Sequence, residues 1–420
     1  MLHPGLIFAT ALGFVAIVML RWRWPLPLAL LAAALLASLL AGFWMPWRHL
    51  VEGGFGFLNL VLALFAGAFF GQAMRVSGAA DAVAGGLFAL VGGRTLPALA
   101  AAGSLVFLTG MFVGIAGVAV LATGVFAVPL LRRTGMANRD VAAFLAVVAT
   151  CGMIAPPVNV PAMMIADGVN MPFLAFERAL LALAVPPVLV ALLYFWLLRP
   201  RAAAPTQVED GGGGRLVVGL AALSITLGFW SVLRAFPQVV PDPAAPLVLV
   251  LGGLVALPLL DRPRLASLFD GTFGGTPLTL AAVLVTVGIA VQVMTLTGIR
   301  GWVVINTMSF PEPWLYAALG GLPLVGGTLT AIGAANVLGV PFAFAFIHQE
   351  MILNVAALSA VAALAEFVPP TAIATALACY VADERRLLAV IRVALPPMAF
   401  LLLLAVLMLV FAAPLTPWLA

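Results

Sequence analysis

The chain contains no lysine; all 19 of its basic residues are arginine, and only 8% of its 420 residues are charged. A soluble domain carries roughly a quarter of its residues as charges, so a surface that faces water all round is excluded. Histidine occurs three times and cysteine twice. Cys151 and Cys379 lie in apolar segments, form no CxxC or metal-ligand spacing, and read as small apolar filler. HExxH, GxSxG and histidine clusters are missing, so neither an enzymatic centre nor a resident cofactor is expected. No basic stretch interleaves with aromatics, which sets nucleic acid aside. The glycine run at 211–214 lacks the Lys and Ser/Thr of a phosphate loop.

What is abundant is apolar sequence: 65% of residues, with a mean hydropathy of +1.22. The runs are continuous rather than alternating, which excludes a barrel and points to an all-α polytopic membrane protein. About 20 apolar residues cross a hydrocarbon core about 30 Å thick. About ten spans are read, near 5–20, 25–44, 56–74, 140–167 (broken), 172–198, 216–233, 245–260, 276–298, 351–381 (broken) and 387–412. The first lacks a basic start and a small-residue cleavage site, and is expected to be a retained span. Trp22, Trp24, Trp44 and Trp47 bracket the second and read as interfacial anchors. The polar, glycine-rich segment 199–215 is read as a linker between two halves, 1–198 and 216–420.

Two stretches, 96–131 and 314–346, are long and apolar with glycines in the middle: FLTGMFVGIAGVAV (107–120) and GGTLTAIGAANVLG (326–339). Each is expected to be a re-entrant hairpin that crosses nothing, tolerated only where protein or a water-filled cavity surrounds it. If the RWRWP loop (21–25) is cytoplasmic, 15 arginines then fall on the cytoplasmic side. Only Arg48, Arg178, Arg234 and Arg300 fall outside. This sorting follows the positive-inside rule, and it puts both termini in the periplasm of a bacterial inner-membrane protein.

The interruptions recur. IAPPVN (154–159) has a partner in FVPPTA (367–372), and Pro186-Pro187 has one in Pro396-Pro397. Five crossings in each half make the second copy inverted. Inverted repeats with broken helices are the pattern of secondary transporters. A break exposes half-helix N-termini, which favour anions, and freed carbonyls, which coordinate cations. The alternative is that each proline pair merely kinks a helix.

At Gly114, Gly124 and Pro129, at IAPPVN, at VPPTA and at VIRVALPP (390–397), the chain resembles the large membrane subunit of tripartite ATP-independent periplasmic (TRAP) transporters. That family lies within a wider ion-transporter superfamily. The resemblance covers roughly 25–412. It implies a sodium-driven elevator that imports small organic acids. It also implies two partners: a small four-helix membrane subunit and a periplasmic substrate-binding protein. The first hairpin would open to the cytoplasm and the second to the periplasm. Where the family carries Ser-Ser and Asp in its first hairpin, this chain has Ile115, Ala116 and Ala119. Ala331 stands near the Asp of the second hairpin, and Val158 stands where a Ser follows the first proline pair. Sodium sites built from backbone carbonyls near Pro156 and Pro369 need no particular side chain. A stand-alone carrier of the same superfamily, coupled to protons or sodium, is the alternative.

The candidate binding residues cluster at these features. Glu366 ends an apolar half-helix three residues before Pro369 and would bind the coupling cation or a proton. Alternatively, it caps that half-helix or pairs with an arginine. Asn159 and Thr371 flank the breaks Pro156-Pro157 and Pro369-Pro370, offering polar groups to ligand or to freed backbone. Thr109, Gly110, Gly114, Gly327, Thr328 and Asn336 mark the hairpins. Asp167, Asn170, His348, Glu350 and Arg392 read as interfacial.

Overall fold

The computed structural model describes residues 2–199, 213–236, 239 and 243–419. Most of the expected linker, residues 200–212, lies outside the described residues. The fold is all-helical, with no strand among the described residues. Seven of its helices are long and apolar enough to cross a membrane: Pro4–Trp22, Leu58–Val76, Thr95–Val113, Glu177–Leu197, Gly213–Leu233, Arg262–Leu296 and Leu387–Val410. Such a chain is consistent with a multi-pass membrane protein. Large apolar side chains such as Leu20, Leu90 and Leu324 stand exposed on its flanks.

The two broken spans form as pairs. Asn138–Ile154 stops before Pro156-Pro157, and Val160–Gly168 resumes after it. Met351–Ala363, extended by a 3-10 turn to Phe367, stops before Pro369-Pro370, and Ile373–Val381 resumes. Proline lacks the N–H of the helix ladder and its ring clashes with the preceding turn. The residue before it is pushed out of the helical region. Ala155 (φ −77°, ψ 151°) and Val368 (φ −103°, ψ 116°) are accordingly extended. Both proline pairs are joined by cis bonds.

Both glycine-centred stretches are helical hairpins. Thr95–Val113 and Ala116–Arg132 pack together around a turn at Gly114-Ile115. Glu312–Gly326 turns through Gly327-Thr328-Leu329 into Thr330–Ala345, which contains a π-helical turn at Ala335–Gly339. The first arm, Thr95–Val113, has 19 residues and is by length a possible span in its own right.

Five helices occupy segments that carried no expectation: Trp47–Gly56, Ala79–Leu90, Arg262–Phe273, Ile299–Met308 and Ala412–Leu419. Each is too short to span on its own; Arg262–Phe273 is set off by an extended Gly274 (φ −106°, ψ 174°) from Gly275–Leu296, which supplies most of the length of Arg262–Leu296. Each also runs directly into, or follows, a long apolar helix, which masks its own pattern. The elements interlock across the chain. Trp47–Gly56 and Leu26–Leu40 pack on Gly275–Leu296, and Arg262–Phe273 and Ala244–Leu254 pack on Leu58–Val76. At the centre, Asp140–Ile154 and Leu353–Ala363 are buried at every residue.

Candidate functional site

Each hairpin tip closes on one proline break. Gly114 sits at φ 70°, the left-handed region that ends the first arm at glycine's smallest cost. A Cβ there would lie 2.7 Å from Val158 Cγ1 and 2.8 Å from the Val158 carbonyl oxygen. The Val158 N–H, just past Pro157, donates to the Met111 carbonyl at 3.3 Å. At the second tip, the Thr371 N–H and hydroxyl both donate to the Gly327 carbonyl, at 3.0 and 2.8 Å. Gly327 has an ordinary φ of −57°, so its requirement is one of space: a Cβ would meet Val368 Cγ1 at 2.5 Å. Gly114 and Gly327 stand 213 residues apart, and so do Pro156 and Pro369. Gly110 serves the first arm, bringing it against the backbone of Ala149 and Gly152 at 3.0 Å from its missing Cβ.

The first break is held by Asn159, which is fully buried. Its Oδ1 accepts from the Ala162 N–H at 2.9 Å, capping Val160–Gly168. Its Nδ2 donates to the Ile154 carbonyl and to Ser359 Oγ, both at 3.0 Å. One amide thus caps the second half-helix, holds the last turn of the first, and ties both to the other broken span. Pro161 near the start of Val160–Gly168 suits the unpaired first turn.

Glu366 is buried (5% exposed) in the 3-10 turn before the second break. Its Oε2 accepts from the Ala374 N–H at 2.7 Å, at the N-terminus of Ile373–Val381. The Ala331 N–H, in the first turn of Thr330–Ala345, faces the same carboxyl group. The Thr375 hydroxyl donates to the Glu366 carbonyl. No arginine pairs with Glu366 among the described residues. The carboxyl group therefore accepts from the N-terminus of a half-helix and faces that of a hairpin arm, where helix dipoles favour negative charge. The carbonyls of Pro156, Pro157, Pro369 and Pro370 accept no hydrogen bond from the described residues.

The other candidates are distributed around this pair of breaks. The Thr109 hydroxyl donates to the Leu105 carbonyl, as does that of Thr123. Thr328 donates to the Val325 carbonyl at 2.7 Å. Asn336 lies in the π-helical turn, which packs against Val160–Gly168. Its backbone carbonyl accepts from Arg300 at 3.4 Å, and its buried Oδ1 has no partner among the described residues. Ser359 and Thr375 are members of the site that the sequence did not single out. Their small polar side chains are common in apolar helices, and their relation to the breaks arises only on packing. Asn354 is fully buried with neither amide atom partnered among the described residues. An apolar groove of about 670 Å³ runs from Leu12, Val15 and Met19 of the first helix to Leu324, Thr328, Pro369 and Pro370. On the first hairpin, Phe112 instead stacks on Trp230, with centroids 6.2 Å apart.

These features define an all-helical chain with membrane-spanning character whose centre is two proline-broken helices, each closed by the tip of a helical hairpin. No family model matches the chain, and no curated protein matches it. No group of three or more His, Cys, Asp or Glu that could hold a metal occurs among the described residues.

Proposed function

We propose that the chain is a secondary active transporter that imports a small organic anion by ion-coupled elevator motion, as the large permease subunit of a TRAP-type system in a bacterial inner membrane. The observation that carries this reading is the doubled closure of hairpin tip on proline break, Gly114 on Val158 and Gly327 on Thr371, at matched spacing. An inverted repeat is part of the reading. It is supported by reciprocal packing: Val160–Gly168 lies against the second hairpin and Ile373–Val381 against the first. In this scheme the hairpins gate the site and the interlocked outer helices form the frame. Sodium would take the open carbonyls of the proline pairs, which need no side chain. The partners would be the small four-helix subunit and the periplasmic binding protein of such systems.

The second reading is a stand-alone, proton-coupled carrier of the same superfamily. Buried Glu366 favours it, because an intramembrane carboxyl group without a basic partner is costly and marks ion or proton pathways. Thermal melting in sodium against potassium or choline, from about pH 5 to 8, separates the two. A cation at 100 times its dissociation constant stabilises by about 2.7 kcal/mol, so a sodium-specific rise supports the first reading. A pH-dependent shift without sodium response, lost in Glu366→Gln, supports the second. The absence of both responses defeats ion-coupled transport. Recovery of a small helical membrane protein in a detergent pull-down separates the multi-subunit system from the lone carrier.

A further inference from the structure

One end of the fold gathers arginines. Arg133 donates to the Asp81 carbonyl, Arg132 to the Ala382 carbonyl at 2.9 Å, and Arg199 pairs with Asp140 at 2.6 Å. Within this end, three helices stop and a fourth begins around a cleft of about 170 Å³. Leu58–Val76 brings Arg75, and the first turn of Ala79–Leu90 brings Asp81. Ala116–Arg132 brings Arg132, and the turn after Ile373–Val381 brings Asp383. Pro129 and Val125 line the same cleft, and Pro129 has no N–H to give the Val125 carbonyl four residues earlier.

The charges are balanced but not paired. The ion pairs among the described residues are Arg48–Glu52, Arg139–Asp140, Arg199–Asp140, Arg264–Asp261 and Arg386–Glu384. None includes Arg75, Asp81, Arg132 or Asp383. Arg132 engages Asn138 Oδ1 through Nε at 3.0 Å and the Ala382 carbonyl through Nη2 at 2.9 Å, which leaves Nη1 without a hydrogen bond among the described residues. A bare anion entering the cleft meets two carboxylates, and a bare cation meets two guanidiniums. Only a molecule carrying both charges meets complementary groups at each end. The cleft continues into a narrow crevice beside Gln72 and Tyr380, where Gln72 Nε2 donates to the Tyr380 hydroxyl at 3.3 Å.

We propose that this cleft is a binding site for a small zwitterion, a carboxylate and an ammonium on one molecule. The carboxylate lies toward Arg75 and Arg132, and the ammonium toward Asp81, Asp383 and the Val125 carbonyl. The site is separate from the hairpin tips: Ala116–Arg132 places its two ends about 24 Å apart at 1.5 Å per residue. It does not rest on the transport reading, and its test needs no flux.

The test is thermal melting of the purified full chain with glycine, alanine or β-alanine, set against propionate and ethylamine at matched ionic strength. The last two are the halves of alanine. A saturable rise with at least one zwitterion, and with neither half alone, is expected. Arg75→Gln and Asp383→Asn change exposed side chains. Each should weaken the zwitterion tenfold or more while leaving the ligand-free melting point in place. An equal response to propionate would make the cleft an anion site, and one to ethylamine a cation site. Either overturns the proposal. So does the absence of any shift, in which case the arginines only complement the helix C-termini that end there.

Discussion

Asn159→Ala offers the sharpest test of how the centre is held. Three hydrogen bonds are lost at once, at 2.9, 3.0 and 3.0 Å, from a fully buried side chain. The lost cap on Val160–Gly168 costs about 1 kcal/mol. The Ile154 carbonyl, left buried without its side-chain donor, costs about 1–2 kcal/mol more. Ser359 keeps its own bond to the Ala356 carbonyl at 2.7 Å, so its loss is the smallest of the three. The expected total is about 2–4 kcal/mol. Ser359→Ala alone should cost about 1 kcal/mol, and the double variant should be less than additive by about 0.5–1 kcal/mol, because the two residues share a bond. Equilibrium unfolding in detergent across the four proteins reads these values. Asp167→Ala, an exposed change on the same half-helix, should stay within about 0.5 kcal/mol of the parent. A strictly additive cycle would refute the cross-link, and an unchanged Asn159→Ala would refute the argument as a whole.

Two further outcomes follow from the same geometry. Gly114→Ala combines a left-handed backbone with a 2.7 Å contact, and Gly327→Ala has the contact alone, at 2.5 Å. Shortening the opposed side chain should therefore relieve Gly327→Ala in part in a Val368→Ala background, because the Cγ1 contact goes while the Val368 carbonyl oxygen at 2.8 Å and Cβ at 2.9 Å stay. It should not relieve Gly114→Ala in Val158→Ala, where strain of about 1–2 kcal/mol resides in the backbone; melting points of the singles and doubles would show equal rescue if this is wrong. Arg199→Ala removes the 2.6 Å partner of buried Asp140 but leaves Arg139 at 3.4 Å. It should cost roughly 2–3 kcal/mol, below the 3–5 of a fully buried pair, and a loss under 0.5 kcal/mol in the same unfolding assay would show that Arg139 suffices.

The membrane character, most spans, both hairpins and both breaks are written locally. Hydropathy over some 20 residues, a glycine between two apolar runs, and two adjacent prolines each act within a few residues of themselves. They therefore survive reading in one dimension. The short helices do not, because 79–90 and 299–308 adjoin longer apolar segments whose pattern swallows theirs. Nor does the pairing of parts. Asn159 meets Ser359 across 200 residues, Glu366 caps the half-helix beyond the break, and Thr371 holds a glycine carbonyl 44 residues before it. Asn159 was legible as an amide beside a break, yet its three partners were not. The long helices, their turns and their breaks are local properties of side chain and backbone, and so can be read along the chain. Which ends meet belongs to packing and to a few buried hydrogen bonds, because apolar helices are interchangeable in sequence.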